Sequence, residues 1–452
     1  MYETLSENLK NLCKACPYPL YVVGGRVRDC LAGFVPDEID TDICAPATAA
    51  DFAARARECG FEISAEYKNT GTVKLEKDGE SYEFTCFRSD KYVRGRHVPE
   101  NTAFTDDINL DARRRDFKCN AVYYDIGAKK YVDPLGGIED IRAKRIDTVA
   151  PPEKVFGEDG LRLMRLARIS AQTGFTPTPQ CMAAARERCN LISDVSAERT
   201  AAELKLILHA DGRCNIAGAH YRGLEILKDI GVLSLILPEL CKGEGIAQRE
   251  DFHKYDVLEH SLRCVMYAHD SVRLAALLHD VGKPLCFEAS GNFIGHEERG
   301  ADAAAAVMER LKVPKKLAEE TERLIRLHMY DFRGDAKENK IRRFIVQNYD
   351  IYDKILYLKQ ADFSACKDDL SEAPTVAKFK RIKARMEAEG APFTLKELDI
   401  KGNELLSMGF PPVSVGQTLS KLLYDCAISE VANDKAALLK RARKVYLNAY
   451  LQ

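Results

Sequence analysis

Asp40-Thr41-Asp42, shortly after Gly24-Gly25-Arg26-Val27-Arg28-Asp29, most constrains what this chain can fold into. Two carboxylates at i and i+2 on a strand point to the same face. The glycine pair upstream lets the backbone approach a phosphate closely, and arginine supplies a charged fork for it. An apolar strand, Leu20-Tyr21-Val22-Val23, stops at the glycines, and a short helix leads on to the strand that carries the acids. This combination suits metal-assisted phosphoryl or nucleotidyl transfer, in which paired Mg²⁺ ions clamp the attacking and leaving oxygens.

A chain of 452 residues has room for about two to four domains, each with its own core. Its 46% hydrophobic and 30% charged residues are those of an ordinary globular protein. No run of about 18 apolar residues occurs, so no membrane span is expected. The segment Met1-Tyr2-Glu3-Thr4-Leu5-Ser6-Glu7 lacks the basic and apolar regions of a signal peptide. Fifteen cysteines are scattered along the chain, which fits reduced thiols in a cytoplasm. Cys13-Lys14-Ala15-Cys16 has no second such pair to complete a zinc site and is read as incidental. The net charge of −2 does not by itself point to nucleic acid, so such a surface would come from local patches.

Helices are expected over residues 4–14, 27–31 and 47–59. The runs 72–76 and 81–87 flank Asp78-Gly79, a strong hairpin signal. Tyr82, Phe84 and Cys86 alternate with Glu83 and Thr85, which puts Glu83 on the face opposite the apolar side chains. The polar stretch 88–112 is predicted to be a mobile loop, and 121–125 a further strand. Beyond about residue 155 the pattern is helical. The predicted fold class is α+β: a small mixed α/β head followed by a long all-helical body.

Taken alone, a DxD also suits a solvated strand end. The preceding GGRVRD favours the functional reading, because both elements are needed to hold a triphosphate and its metals. Glu83 is the natural third carboxylate, against a plain reading as a solvent-facing strand residue. Arg113-Arg114-Arg115-Asp116-Phe117 adds a dense positive patch directly before a core strand. GGRVRD, IDTDI, EFTCFR and RRDFKCNA, in this order, resemble the bacterial tRNA CCA-adding enzyme and poly(A) polymerase family, the class II nucleotidyltransferases. The resemblance continues through Gly157-Glu158-Asp159-Gly160-Leu161-Arg162, Arg165, Arg168 and Val195-Ser196-Ala197-Glu198-Arg199, so that it spans roughly residues 20–210. It implies that Asp40 and Asp42 bind Mg²⁺ and that Gly25, Arg28 and Arg115 hold the nucleotide.

Asp159 and Arg162, read as i and i+3 on one helix, would share a face. A carboxylate accepts an amino N–H and a guanidinium donates to a ring nitrogen or carbonyl. Cytosine and adenine each offer an amino donor beside a ring acceptor, whereas guanine and uracil reverse that pattern. The pair would therefore accept CTP and ATP, the choice that the family is thought to make with protein in place of a nucleic-acid template. A surface ion pair is the plain alternative. Arg165 and Arg168 continue the spacing and are expected to face phosphate. Ser196 sits at a helix start, with Glu198 one residue short of a capping box.

Six of the nine histidines fall between His253 and His328. His260, His279-Asp280 and Asp362 resemble the H…HD…D pattern of the HD metal-dependent phosphohydrolases, with His279-Asp280-Val281-Gly282-Lys283-Pro284 close to its HDIG signature. Imidazoles with carboxylates suit a divalent transition metal that generates hydroxide. An inherited helical domain with a silent site is the plain reading. His253, His269, His296 and His328 are expected to be core or supporting residues. The basic stretches Lys378–Arg385 and Lys440–Lys444 suit an RNA backbone or a solvated face. Asp399-Ile400-Lys401-Gly402, Pro411-Pro412 and Val415-Gly416 resemble the tail of the Gram-positive-type enzymes.

The expected organisation is a nucleotidyltransferase head over 1–145, a helical neck with the templating motif over 146–235, a body with the HD domain over 236–370 and a tRNA-binding tail over 371–452. The partners implied are tRNA, CTP and ATP, with no membrane. Poly(A) synthesis, addition of only CC or only A, and an HD phosphohydrolase with a nucleotide-sensing head are the alternatives.

Overall fold

The computed structural model describes residues 1–35, 41–91 and 101–450. It divides into two compact units, Met1–Cys241 with Val307–Val313, and Lys242–Ala306 with Pro314–Gln452.

In the first unit, α1 (Glu7–Ala15) starts at Ser6, whose hydroxyl accepts the Leu9 N–H at 3.2 Å. It leads to β1 (Tyr21–Val23), α2 (Gly25–Leu31), β2 (Thr41–Ala45) and α3 (Ala49–Glu58). β3 (Glu62–Tyr67), β4 (Thr72–Lys77) and β5 (Glu80–Cys86) follow as a meander. Asp78 and Gly79 both have positive φ, 51° and 80°, which gives the turn the twist that a two-residue hairpin needs. β8 (Tyr123–Asp125) and β9 (Lys130–Val132) complete a sheet in the order β3-β4-β5-β2-β1-β8-β9. Only β2 and β5 run parallel within it.

The alternation read from sequence holds: Tyr82, Phe84 and Cys86 are buried while Glu83 is exposed. Phe84 stacks on Phe52 of α3, with ring centroids 3.7 Å apart. On the other side of β2, Tyr21, Phe87 and Tyr123 form an aromatic cluster.

The stretch 88–112 departs from the expected loop. Strands β6 (Arg88–Lys91) and β7 (Asn101–Phe104) pair, and α4 (Ile108–Arg113) follows, with residues 92–100 outside the described set. Asp111 explains the order at its base, because its buried carboxylate accepts the Arg88 backbone N–H and bonds Arg114, Arg115 and Tyr123. β3 and β9 were not read from sequence, since neither shows a clean run of β-branched residues.

α5 (Gly137–Arg142), β10 (Arg145–Ile146), α6 (Pro152–Glu158), α7 (Leu161–Thr173), β11 (Thr176–Pro177), α8 (Pro179–Arg188), α9 (Ala197–Leu208) and the short α10 (Asp211–Cys214) carry the chain onward. α7 is almost wholly buried and ends at Gly174, whose φ of 71° suits the left-handed cap. Ser196 occupies the N-cap of α9 but makes no capping hydrogen bond, in keeping with the shortfall in its spacing.

The second unit is helical. The helices Val257–Tyr267, Arg273–Leu278, Lys315–Leu327 and Tyr352–Lys367 pack around the histidine-rich region, and Pro374–Ala388, Gly402–Ser407, Pro412–Ala427 and Lys435–Tyr450 follow. In the basic stretch of Pro374–Ala388, Lys378 pairs with Asp331, Lys383 with Glu387 and Arg385 with Glu338, so much of its charge is neutralised internally.

Candidate active site

Gly24 and Asp42 define the centre of the head. Gly24 has φ 78° and ψ −143°, and a Cβ there would come within 3.0 Å of Asp42 Oδ2. Only glycine combines that backbone with so close an approach to the carboxylate. Asp42 is exposed at its strand position and is the direct partner of Glu83 across the parallel ladder. Glu83 is the partner of Lys74 on the other side, with the two charges 3.6 Å apart. Asp40 lies outside the described residues.

A cavity of about 380 Å³ opens beside Asp42. It is lined by Gly24, Gly25, Asp116, Asn120, Asp159 and nine arginines: Arg26, Arg28, Arg114, Arg115, Arg162, Arg165, Arg168, Arg199 and Arg213. Gly25, Arg28, Arg115, Asp159, Arg162, Arg165 and Arg168, all singled out from sequence, thus share one space with Asp42. Arg213, Arg199, Arg26 and Arg114 complete the set of nine arginines. Arg213 carried no sequence signal, because it stands in the short helix α10 outside every motif, and Arg26 and Arg114 sat unremarked within motifs read for their neighbours.

The arginines are held by buried acceptors. Arg28 Nε donates to Asp29 Oδ1 at 2.7 Å and Nη1 to Asn120 Oδ1 at 2.8 Å. Arg115 donates from Nη2 to Asp111 Oδ2 at 3.0 Å, and its guanidinium lies over the Tyr123 ring. Arg162 donates to the carbonyls of Val155 and Arg114 and to Glu158, which fixes the direction of its fork.

One sequence expectation is corrected here. Asp159 and Arg162 do not share a helix, because α6 ends at Glu158 and α7 begins at Leu161, with Asp159 between them in extended backbone. Its carboxylate caps α7 by accepting the Leu161 N–H at 2.9 Å, and it reaches the cavity from the helix entrance. Arg165 and Arg168 line the cavity, each oriented by a buried acid: Arg165 Nε donates to Asp116 at 2.7 Å and Arg168 Nε to Glu203 at 2.7 Å. Burial opposes the ionised form of Asp116, but Arg165 outweighs it and holds the carboxyl below the usual range. Burial raises Asp159, with Arg162 and Arg165 only partly offsetting it.

In the second unit, His260, His279, Asp280 and Asp362 come together as expected. His260 Nε2 lies 3.0 Å from Asp362 Oδ1 and 3.3 Å from His279 Nε2, and His279 Nε2 lies 3.2 Å from Asp280 Oδ2. His296 and His328 are buried and approach one carboxylate oxygen: His296 Nε2 lies 3.3 Å and His328 Nε2 3.9 Å from Asp280 Oδ1. Two His/Asp triads could hold a metal ion, His260 with His279 and Asp362, and Asp280 with His296 and His328, and a third group joins His253, His260 and Cys366. Lys283 Nζ meets Asp280 Oδ2 at 2.6 Å. His253 packs edge-on to His260 and near Cys366. His269, expected as a core or supporting residue, is half exposed and bonds its own turn through Ser271.

Comparison with known proteins matches three regions of the chain. The Poly A polymerase head domain matches residues 20–147, an RNA- and SrmB-binding region of polymerase A matches 174–243, and the HD domain matches 257–357. The A-adding tRNA nucleotidyltransferase of Deinococcus radiodurans is 29% identical over 450 residues, covering 93% of this chain and 95% of that protein. The Multifunctional CCA protein of Paracidovorax citrulli is 32% identical, covering 68% and 73%. The CC-adding tRNA nucleotidyltransferase of Thermus thermophilus is 30% identical, covering 76% of each. The crystal structure of the Bacillus stearothermophilus CCA-adding enzyme in complex with CTP has the same fold, with a TM-score of 0.66 at 23% identity, covering 98% of this chain and all of that one. With an acid-bearing strand beside an arginine-lined cavity, and these relatives along its length, the chain belongs to the tRNA nucleotidyltransferase and poly(A) polymerase family, and it carries an HD domain after the head.

Proposed function

We propose that this chain adds C and A to the 3′ end of tRNA from CTP and ATP, releasing pyrophosphate, without a nucleic-acid template. The observation that carries this reading is the cavity itself, in which nine arginines face one space beside Asp42. A triphosphate fits that charge, and a strand-borne carboxylate pair fits its metal. Asp40 and Asp42, with Glu83 beside them, would hold Mg²⁺, and the notch at Gly24 that keeps Asp42 uncovered suits that role. The ion would neutralise the triphosphate and favour ionisation of the attacking hydroxyl.

The chain's own residues do the rest. Gly25, Arg28 and Arg115, with Arg165 and Arg168 behind them, hold the phosphates and ribose in line for attack of the 3′-oxygen on the α-phosphorus. The new O–P bond forms as the bond to the β-phosphate oxygen breaks, and pyrophosphate leaves with that electron pair. Asp159 accepts the amino N–H of cytosine or adenine and Arg162 donates to the adjacent ring nitrogen. Guanine and uracil would leave both buried groups mispaired, which costs far more than a missing apolar contact. The head is assigned to 1–145, the neck to 146–235, the HD body to 236–370 and the tail to 371–452.

The two triads around Asp280 favour a second centre, a divalent transition-metal site able to support secondary phosphohydrolase chemistry. Fifteen free thiols suit a reducing compartment such as the cytoplasm. No helix among the described residues is long and apolar enough to cross a membrane.

The test uses tRNAs lacking CCA, CA or the final A, with labelled CTP or ATP. Two C and one A, followed by a stop, is the expected result. Addition of CC alone or A alone would replace it with a partial activity, and long A tails would replace it with poly(A) synthesis.

A further inference from the structure

We propose that Arg213 is a triphosphate-binding residue of the nucleotide cavity, braced by Asp29. This inference rests on the nucleotidyl-transfer reading above and adds to it a residue from outside the motifs.

Most of the cavity arginines already give at least one terminal nitrogen to a protein acceptor. Arg28 uses Nε and Nη2 on Asp29 and Nη1 on Asn120. Arg165 uses Nε and Nη2 on Asp116, and Arg168 uses Nε and Nη1 on Glu203 and Gln172. Arg26 uses Nη1 on Thr41 and Nη2 on the Thr4 carbonyl. Arg213 differs: Nε donates to Asp29 Oδ2 at 2.9 Å, while neither terminal nitrogen has a hydrogen-bond partner among the described residues. Its fork is therefore oriented but unspent.

That fork points at the right place. A Cβ on Gly25 would come within 2.8 Å of Arg213 Nη2 and 3.5 Å of Arg28 Nη2. The absence of a side chain at Gly25 thus makes room for a guanidinium over the start of α2. Asp29 is fully buried and serves both arginines, with Oδ1 toward Arg28 and Oδ2 toward Arg213. One carboxylate ties a residue of α2 to a residue 184 positions later and sets both forks on the cavity wall. A planar fork with two free N–H edges matches two non-bridging oxygens of a phosphate. The contact involves no base, so it serves CTP and ATP alike.

The experiment is steady-state kinetics on the full chain, with ATP on a tRNA ending in CC and CTP on a tRNA lacking CCA. Arg213→Ala is expected to raise KM for both nucleotides by one common factor, roughly ten- to a hundredfold. The inhibition constant of inorganic tripolyphosphate should rise by that factor while KM for tRNA stays fixed. Arg213→Lys, which keeps the charge and loses the fork, should recover part of the loss. Unchanged nucleotide KM and tripolyphosphate inhibition would overturn the proposal, as would an effect confined to one nucleotide. A purely structural role would lower kcat or the thermal midpoint and leave tripolyphosphate inhibition alone. If Arg213→Ala does not fold, Arg213→Lys is read against tripolyphosphate in the same way, with a smaller rise expected and no rise contradicting the proposal. Failure of the wild type to add any nucleotide would instead count against the transfer reading, and calorimetric binding of tripolyphosphate to wild type and variant would still decide the role of Arg213.

Discussion

Asp42 and Glu83 are direct partners on the parallel strands β2 and β5, and Asp42 alone of the two also borders the arginine cavity. Asp42 is therefore placed to serve both the triphosphate and the metal, whereas Glu83, already shared with Lys74, serves only the outer side. Asp42→Asn should lower kcat for A addition by about a hundredfold or more, a loss of the size seen when one preorganised electrostatic group is removed. Glu83→Gln should cost less, on the order of tenfold. Equal losses at saturating ATP would contradict this division of labour.

Asp159 is buried, and its carboxyl is raised above the ordinary range by that burial. Asp159→Ala should relax base choice more than it slows transfer. Losing one charge-assisted hydrogen bond is worth roughly ten- to a hundredfold, read as the ratio of GTP or UTP to ATP or CTP incorporation. The same ratio in the wild type should climb as pH falls through the raised pKa, because a protonated carboxyl donates where the amino group needs an acceptor. Asp159→Asn should show no such pH dependence. Discrimination that survives Asp159→Ala would remove its templating role.

What the sequence revealed of this site follows from distance along the chain. Gly24, Gly25, Arg28 and Asp42 form a local strand-helix-strand unit, and the alternation around Glu83 needs only one strand, so periodicity exposed them. Spacing is an inaccurate guide to Asp159, because it implies a helix face shared with Arg162, while the break between Glu158 and Leu161 places Asp159 at a cap. Arg213 was invisible, since its meaning depends on Asp29 and Gly25 far away in sequence. His296 and His328 read as core or supporting residues, because burial and metal ligation leave the same mark on a sequence; their approach to Asp280 is what places them in a group that could hold a metal. The 88–112 stretch hid its strands because polar hairpins lack an apolar period, and Asp111, the anchor below it, resembles any helical acid.

Asp111 also sets a pH dependence of stability. Burial opposes its charge, but Arg115 and Arg114 prevail and hold its carboxyl at about 2. A depressed carboxyl contributes stability above its unfolded value, near 4, and that contribution is lost as pH falls toward 2. The shift corresponds to about 2 kcal/mol. Asp111→Asn should therefore destabilise the protein by about 2 kcal/mol at pH 7 in urea unfolding, with the gap from wild type closing between pH 4 and pH 2. A gap that stays constant over this range would show that charge pairing is not its source.

Asp280 sits between the two histidine triads, with Oδ2 toward His260 and His279 and Oδ1 toward His296 and His328. Replacing it should therefore disturb both metal positions, while His260→Ala or His296→Ala should disturb one. After dialysis against Mn²⁺ or Ni²⁺, elemental analysis of the full chain should find metal retained by the wild type, less of it in His260→Ala and in His296→Ala, and least in Asp280→Asn. Losing a ligand should weaken binding by at least as much as the roughly ten- to hundredfold cost of losing a supporting partner. Nucleotide addition with Mg²⁺ should be unaffected in all three, because the head carries its own carboxylates. Full metal content in Asp280→Asn would show that Asp280 is held there by Lys283 and the imidazoles alone, as a buried ion pair without a metal to bind.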